Sequence, residues 1–144
     1  MPNTNYDTDF YAWANEQAAL LRSGALSSAD IENIAGEIES MGNSEKRELG
    51  NRLIVILLHL LKWQFQPKSR SSSWETSIIV QRNAVVRIVR DNPSLKPKIP
   101  EVLADVYDDA FVEAVEETKL PKSAFPATCP YTFEQIVDPG FWPE

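Results

Sequence analysis

A length of 144 residues, 43% hydrophobic content and a formal net charge of −7 suit one domain of ordinary size with enough apolar matter for a core. The acidic balance argues against unspecific binding to DNA or acidic lipid. A single cysteine, Cys129, excludes an internal disulfide framework and fits a reducing cytosol.

The opening residues Met1-Pro2-Asn3-Thr4-Asn5-Tyr6-Asp7 carry no basic patch and no apolar run. No secretion signal is therefore expected, and residues 1–7 read as a flexible lead. Helix one is expected from Thr8 or Asp9 to Ser23, on the spacing of Phe10, Trp13, Ala14, Gln17, Leu20 and Leu21. Asp9 suits its start, and Gly24 supplies a left-handed stop. Helix two is expected to start at Ser27 or Ser28 and to end before Gly42. Its apolar stripe is Ile31, Ile34, Ala35, Ile38 and Met41, with Asp30, Glu32, Glu37 and Glu39 on the other faces.

Helix three is expected from Asn43 or Ser44 to about Gln66, ended by Pro67. Its centre, Leu53 to Leu61, is apolar on every face except at His59, as in a helix walled in by others. The run is shorter than the roughly 20 apolar residues that a bilayer requires, so no membrane span is expected. A polar basic loop, Pro67 to Ser73, follows. Ser72 with Glu75 reads as a capping box for helix four, Trp74 to Arg90. That helix shares Trp74, Ile78, Gln81, Val85, Ile88 and Val89 on one face, with Gln81 as its polar interruption. Pro93, Pro97 and Pro100 keep the next stretch irregular. Helix five starts at Pro100, ends near Thr118 and buries residues from Val102 to Val115.

The tail from Leu120 is rich in proline and aromatics and is expected to pack back on the helices, with a short helix capped by Thr132 and Gln135. The expectation is thus an all-α, single-domain bundle of about five helices spanning 1–144, with an irregular Pro/aromatic tail (120–144) docked on it.

Six blocks, taken together, form a specific pattern over nearly the whole chain. They are Tyr6-Asp7-x-Asp9-Phe10-x-x-Trp13, Glu37 to Gly42, His59-Leu60-Leu61-Lys62-Trp63-x-x-Gln66-Pro67, Ser73-Trp74-x-x-x-Ile78-x-x-Gln81-Arg82, Pro93-Ser94-Leu95, and Phe125-Pro126-x-x-Cys129-Pro130-Tyr131. In this order they resemble a bacterial family abundant in cyanobacteria, the domain of unknown function 29. The resemblance implies a compact all-α fold and no established activity, substrate or cofactor. The chain departs from the family pattern at Gly36, where a second acidic residue is expected, and this weakens any carboxylate cluster on helix two.

Charge is segregated along the chain: residues 1–45 carry a net −7, residues 46–98 a net +8 and residues 99–144 a net −8. The plain reading is internal pairing between acidic outer and basic middle helices. The sharper one is a basic face that meets an anion.

Three groups of polar residues are candidates for chemistry. His59, Lys62 and Gln66 share a face of helix three with Trp63 beside them, and helix four brings Trp74, Gln81 and Arg82. With Glu37 or Glu39 as carboxylate partner, His59, Lys62, Gln81, Arg82 and Glu37 would form a polar pocket with Trp63 and Trp74 as aromatic wall, and His59 as a general base. Alternatively, His59 and Gln81 are hydrogen-bonded core groups that fix helix register. The loop residues Lys68, Arg70, Ser72 and Ser73, with Arg82, make an anion-binding candidate, or else a solvated cap and turn. Cys129 is a redox thiol or a small buried apolar residue. No metal site and no cofactor are expected, because zinc sites want denser His and Cys.

No glycine-rich phosphate loop, serine elbow or second histidine completes a catalytic set. A non-catalytic cytoplasmic interaction module, acting through a protein partner or by self-association, therefore comes first. A nucleic-acid or phosphorylated-ligand binder using Lys68, Arg70, Arg82, Arg87 and Arg90 comes second. A hydrolase-like centre at His59 comes third.

Overall fold

The computed structural model describes residues 5–144. The expected flexible lead lies partly outside the described residues. Where it is described, Asn5 starts a turn by accepting from the amides of Thr8 and Asp9, and Tyr6 packs its ring on Phe10 and Trp13.

Five α-helices and no strand are present among the described residues. They are α1 (Phe10–Arg22), α2 (Ile31–Phe65), α3 (Ser72–Asp91), α4 (Ile99–Thr118) and α5 (Phe133–Val137). Residues up to Ser44 form one compact unit and Glu45–Glu144 another. Residues 31–44 of α2 belong to the first, and residues 45–65 to the second.

In the first unit the Asp9 side chain caps α1 by accepting from the Ala12 amide. A Schellman turn ends the helix: Gly24 at φ 77° donates to Leu21 O, and Ala25 donates to Leu20 O. Only glycine takes that φ without steric cost, so the expected stop is where the sequence placed it.

Helices two and three of the sequence reading are one helix. Gly42 keeps a right-handed conformation and makes no stop. No proline interrupts 31–65, and a glycine inside a helix costs only about 1 kcal/mol, too little to break it.

In the second unit the core runs along α2. Leu49, Leu53, Ile56, Leu57, Leu60 and Leu61 are fully enclosed, packed with Ile78 and Val85 of α3, Ala110 and Ala114 of α4, and Ile136 of α5. Each such Leu or Ile contributes roughly 1.5–3 kcal/mol by leaving water. Gly50 lets α4 come close: a Cβ there would stand 3.4 Å from Val106 Cγ1.

The cap of α3 is Ser71, whose hydroxyl accepts from the Trp74 amide. Ser72 is therefore the first helical residue, and Glu75 complements the helix dipole from the first turn instead of closing a capping box. Residues 93–98 form a 3-10 segment that packs against α3 and α4, and α4 begins at Ile99, one residue before Pro100. The capping box of Thr132 and Gln135 opens α5 as the sequence indicates. The Pro/aromatic tail does pack on the helices, burying Phe125, Tyr131 and Ile136.

Candidate functional site

The first unit is built on a polar hub beneath an aromatic cluster. Trp13 is buried, and its indole N–H donates to Asp30 Oδ2 at 3.0 Å. Asn33 donates to the same oxygen at 2.8 Å, and the buried Gln17 accepts from the Asp30 amide at 2.7 Å. These donors, Asn33 first and Trp13 second, hold the Asp30 carboxyl below the usual range. Tyr6 donates its hydroxyl to Glu37, which pushes the phenol pKa up.

Partners on α1 and in the lead thus meet Asp30, just before α2, and Glu37 on it, leaving another face open. Ile31, Ile38 and Met41 are 51%, 62% and 70% exposed. Ile31, Ala35, Ile38 and Gly42 follow one another at steps of four, three and four, the seam of a coiled coil, and all are exposed. Glu32 and Glu39 run alongside at the positions where such a seam carries its partner-selecting charges. This exposure could not be read from the sequence, because a stripe of this kind normally marks a buried face.

The polar pocket expected around His59 is not assembled. His59 Nδ1 donates to the carbonyl of Val55, one turn back on its own helix, at 2.8 Å. A carbonyl only accepts, so Nδ1 carries a proton. Glu37 belongs to the first unit, where it accepts from the Tyr6 hydroxyl. Lys62 donates to Glu117 at 2.8 Å and lies over the Trp74 ring, 4.7 Å from its centre. Gln66 reaches Thr118 O. Gln81 accepts from Arg52 and is only half-buried; the buried polar residue of α3 is its neighbour Arg82.

The expected anion loop is split as well. Lys68 and Ser69 are exposed in a 3-10 turn, and Ser72 and Ser73 are exposed in the first turn of α3. Arg70 turns inward: its Nε donates to Trp63 O at 2.8 Å, its Nη2 to Pro143 O at 3.2 Å, and its guanidinium covers the Trp63 ring. Trp63 in turn meets Trp142, ring centres 4.8 Å apart. The arginine therefore ties the end of α2 to the tail. The tail's sequence shows only that it is apolar; which cations grip its carbonyls cannot be read from spacing.

Arg82 does the same from α3. It is 2% exposed, and its Nε donates to Ile136 O at 2.7 Å and its Nη2 to Phe141 O at 2.7 Å and Gln135 O at 3.4 Å. Its guanidinium faces the Trp142 ring at 5.1 Å. Burial lowers its pKa, and Asp138 partly offsets this.

Two tyrosines complete the dock. Tyr131 donates to Gln64 at 2.7 Å, and Tyr107 donates to Pro126 O at 2.6 Å with its pKa pushed up to about 12 by burial. The half-buried Cys129 thiol donates to Tyr131 O, and burial pushes its pKa up. A thiol so placed is the protonated, poorly nucleophilic form, which removes the argument for a redox cysteine.

The geometry therefore separates two features: an open, acid-edged helical seam in the first unit, and an arginine-clamped tail in the second. Among the described residues no helix is long and apolar enough to cross a membrane. No curated protein and no solved structure matches the chain. A family model, described as a domain of unknown function, matches residues 5–142, almost all of the sequence that builds both units. The chain belongs to the DUF29 family.

Proposed function

We propose that the protein is a non-catalytic interaction module of the bacterial cytoplasm that docks an amphipathic helix of another protein on the seam of α2. The carrying observation is the exposure of Ile31, Ile38 and Met41 on a helix face that α1 leaves open. Isolated exposed apolar residues need no explanation, but a seam at coiled-coil spacing has one side of a packing arrangement already built. Ala35 and Gly42 leave room for the close approach of a second backbone.

Charge chooses the partner. Glu32 and Glu39 flank the seam, and residues 1–45 hold one basic side chain against eight acidic ones. A helix carrying Lys or Arg beside its apolar seam complements this edge. Two copies meeting antiparallel would set glutamate against glutamate. The reducing compartment rests on the lone Cys129.

The test uses two synthetic amphipathic helices with the same leucine seam, one flanked by lysines and one by glutamates. The lysine peptide is expected to bind, more weakly as salt rises. Ile38→Glu and Met41→Glu, both at exposed positions, are expected to weaken it at least tenfold with the melting temperature nearly unchanged. Equal binding of both peptides, binding of neither, or a homodimer that Ile38→Glu dissolves would each overturn the reading.

A further inference from the structure

The clamp on the tail leaves one group unused. Arg82 commits Nε and Nη2 to three backbone carbonyls, while its Nη1 is buried with no hydrogen-bond partner. A buried cationic donor without an acceptor is an unfinished arrangement, since the two N–H groups of Nη1 have left water and gained nothing. The same side chain lines a cavity of about 380 Å³ on the outer side of α3. That volume falls at the lower end of small-molecule sites.

The other walls complete the chemistry. Arg87 and Arg90 line the cavity with Arg82, and Asn83 adds an amide. Arg90 is held by Asp91 at 3.0 Å, whereas Arg87 makes no hydrogen bond or ion pair among the described residues. Ile79, Val86, Val137 and Pro139 supply an apolar side, with Ile79 and Val86 still substantially exposed. Asp138 is the acidic neighbour that partly balances Arg82.

From these walls we infer that the cavity binds a phosphate group carried on a small, partly apolar molecule. Three arginines line one small space, and the planar fork of a guanidinium matches the oxygens of a phosphate. The phosphate takes Arg87 and Arg90 from outside, with the buried Arg82 beneath them as a third positive charge, while the rest of the molecule lies on Val86 and Pro139. A nucleic-acid backbone is the poorer fit, because Arg70, the cation that would extend the basic path, is turned into the tail. The site is independent of the seam on the first unit.

The experiment titrates the full chain with phenyl phosphate, inorganic phosphate and a short oligothymidylate, following arginine side-chain N–H resonances. Phenyl phosphate is expected to bind saturably and about tenfold more tightly than inorganic phosphate, because only it covers the apolar wall. The Arg82 Nε–H resonance is expected to shift. Arg87→Gln and Arg90→Gln lie at exposed positions, so they keep the melting temperature while weakening phenyl phosphate at least tenfold together. Absence of saturable binding, binding that both substitutions leave intact, or shifts away from Arg82 would overturn the inference. So would an oligothymidylate that binds through the same arginines more tightly than phenyl phosphate.

Discussion

At the scale of the residue, Arg82 is a polar side chain whose structural partners the sequence does not announce. The sequence marks it beside Gln81 on a helix, where an arginine next to an apolar face is ambiguous between surface charge and buried anchor. Its partners are main-chain carbonyls of the tail, and carbonyls carry no signature in sequence. Replacing it with Met leaves the carbonyls of Gln135, Ile136 and Phe141 without their donor. The expected cost is about 3 kcal/mol or more in urea unfolding, with Trp142 losing its packing early. Arg82→Lys should not restore it, because one ammonium cannot serve three carbonyls from the fork's positions. Asp30 allows a prediction with pH. Its folded pKa lies below its unfolded one, so the stabilisation is present above the ordinary aspartate range, near 3.9. It is lost as pH falls through the lower folded value. The Trp13 indole N–H resonance, followed downward in pH, should move with a midpoint below that of a free aspartate and should not move in Asp30→Asn.

At the scale of the element, α2 was legible in its apolar part and misread in its middle. Leu53 to Leu61 is expected to be enclosed, and most of it is: Leu53, Ile56, Leu57, Leu60 and Leu61 have no exposed surface, while Ile54, Val55 and His59 are only half-buried. Met41-Gly42-Asn43-Ser44 reads as a break because glycine, asparagine and serine all favour turns, yet none of them forces one. A stop needs a left-handed residue, and Gly24 adopts that conformation while Gly42 does not. The clearest local strain is at the end of α4, where Lys119 takes φ 59° without being a glycine. Lys119→Gly is expected to stabilise the chain by up to about 1 kcal/mol, since relief of the left-handed backbone outweighs an exposed pair with Glu116. Chemical denaturation midpoints check it, with Lys119→Ala giving no comparable gain.

At the scale of the whole molecule, the alternation of charge along the chain is only partly an internal affair. Lys46 with Glu101 and Lys62 with Glu117 join the basic middle to the acidic α4, while Arg52 with Glu48, Arg90 with Asp91 and Lys119 with Glu116 are local pairs. Exposed pairs of this kind are worth about 0–1 kcal/mol each, so the segregation is no major source of stability. It leaves acid along the seam and arginines around the cavity, and those are the places where function is proposed. The all-helical class was legible because helical periodicity and sparse glycine survive in any context. The two sites were not, because exposure and an empty donor are properties of packing.

The grip of Arg70 on Pro143 O and of Arg82 on Phe141 O has a consequence for synthesis. Both arginines leave the ribosome long before the residues that they hold. Until residues 135–143 emerge, Arg82 lacks its three carbonyls, Arg70 lacks one of its two, and the Trp63 ring lacks Trp142. The second unit therefore cannot finish folding during translation of its helices, and a nascent chain stalled after α4 should stay open to proteolysis and chaperones.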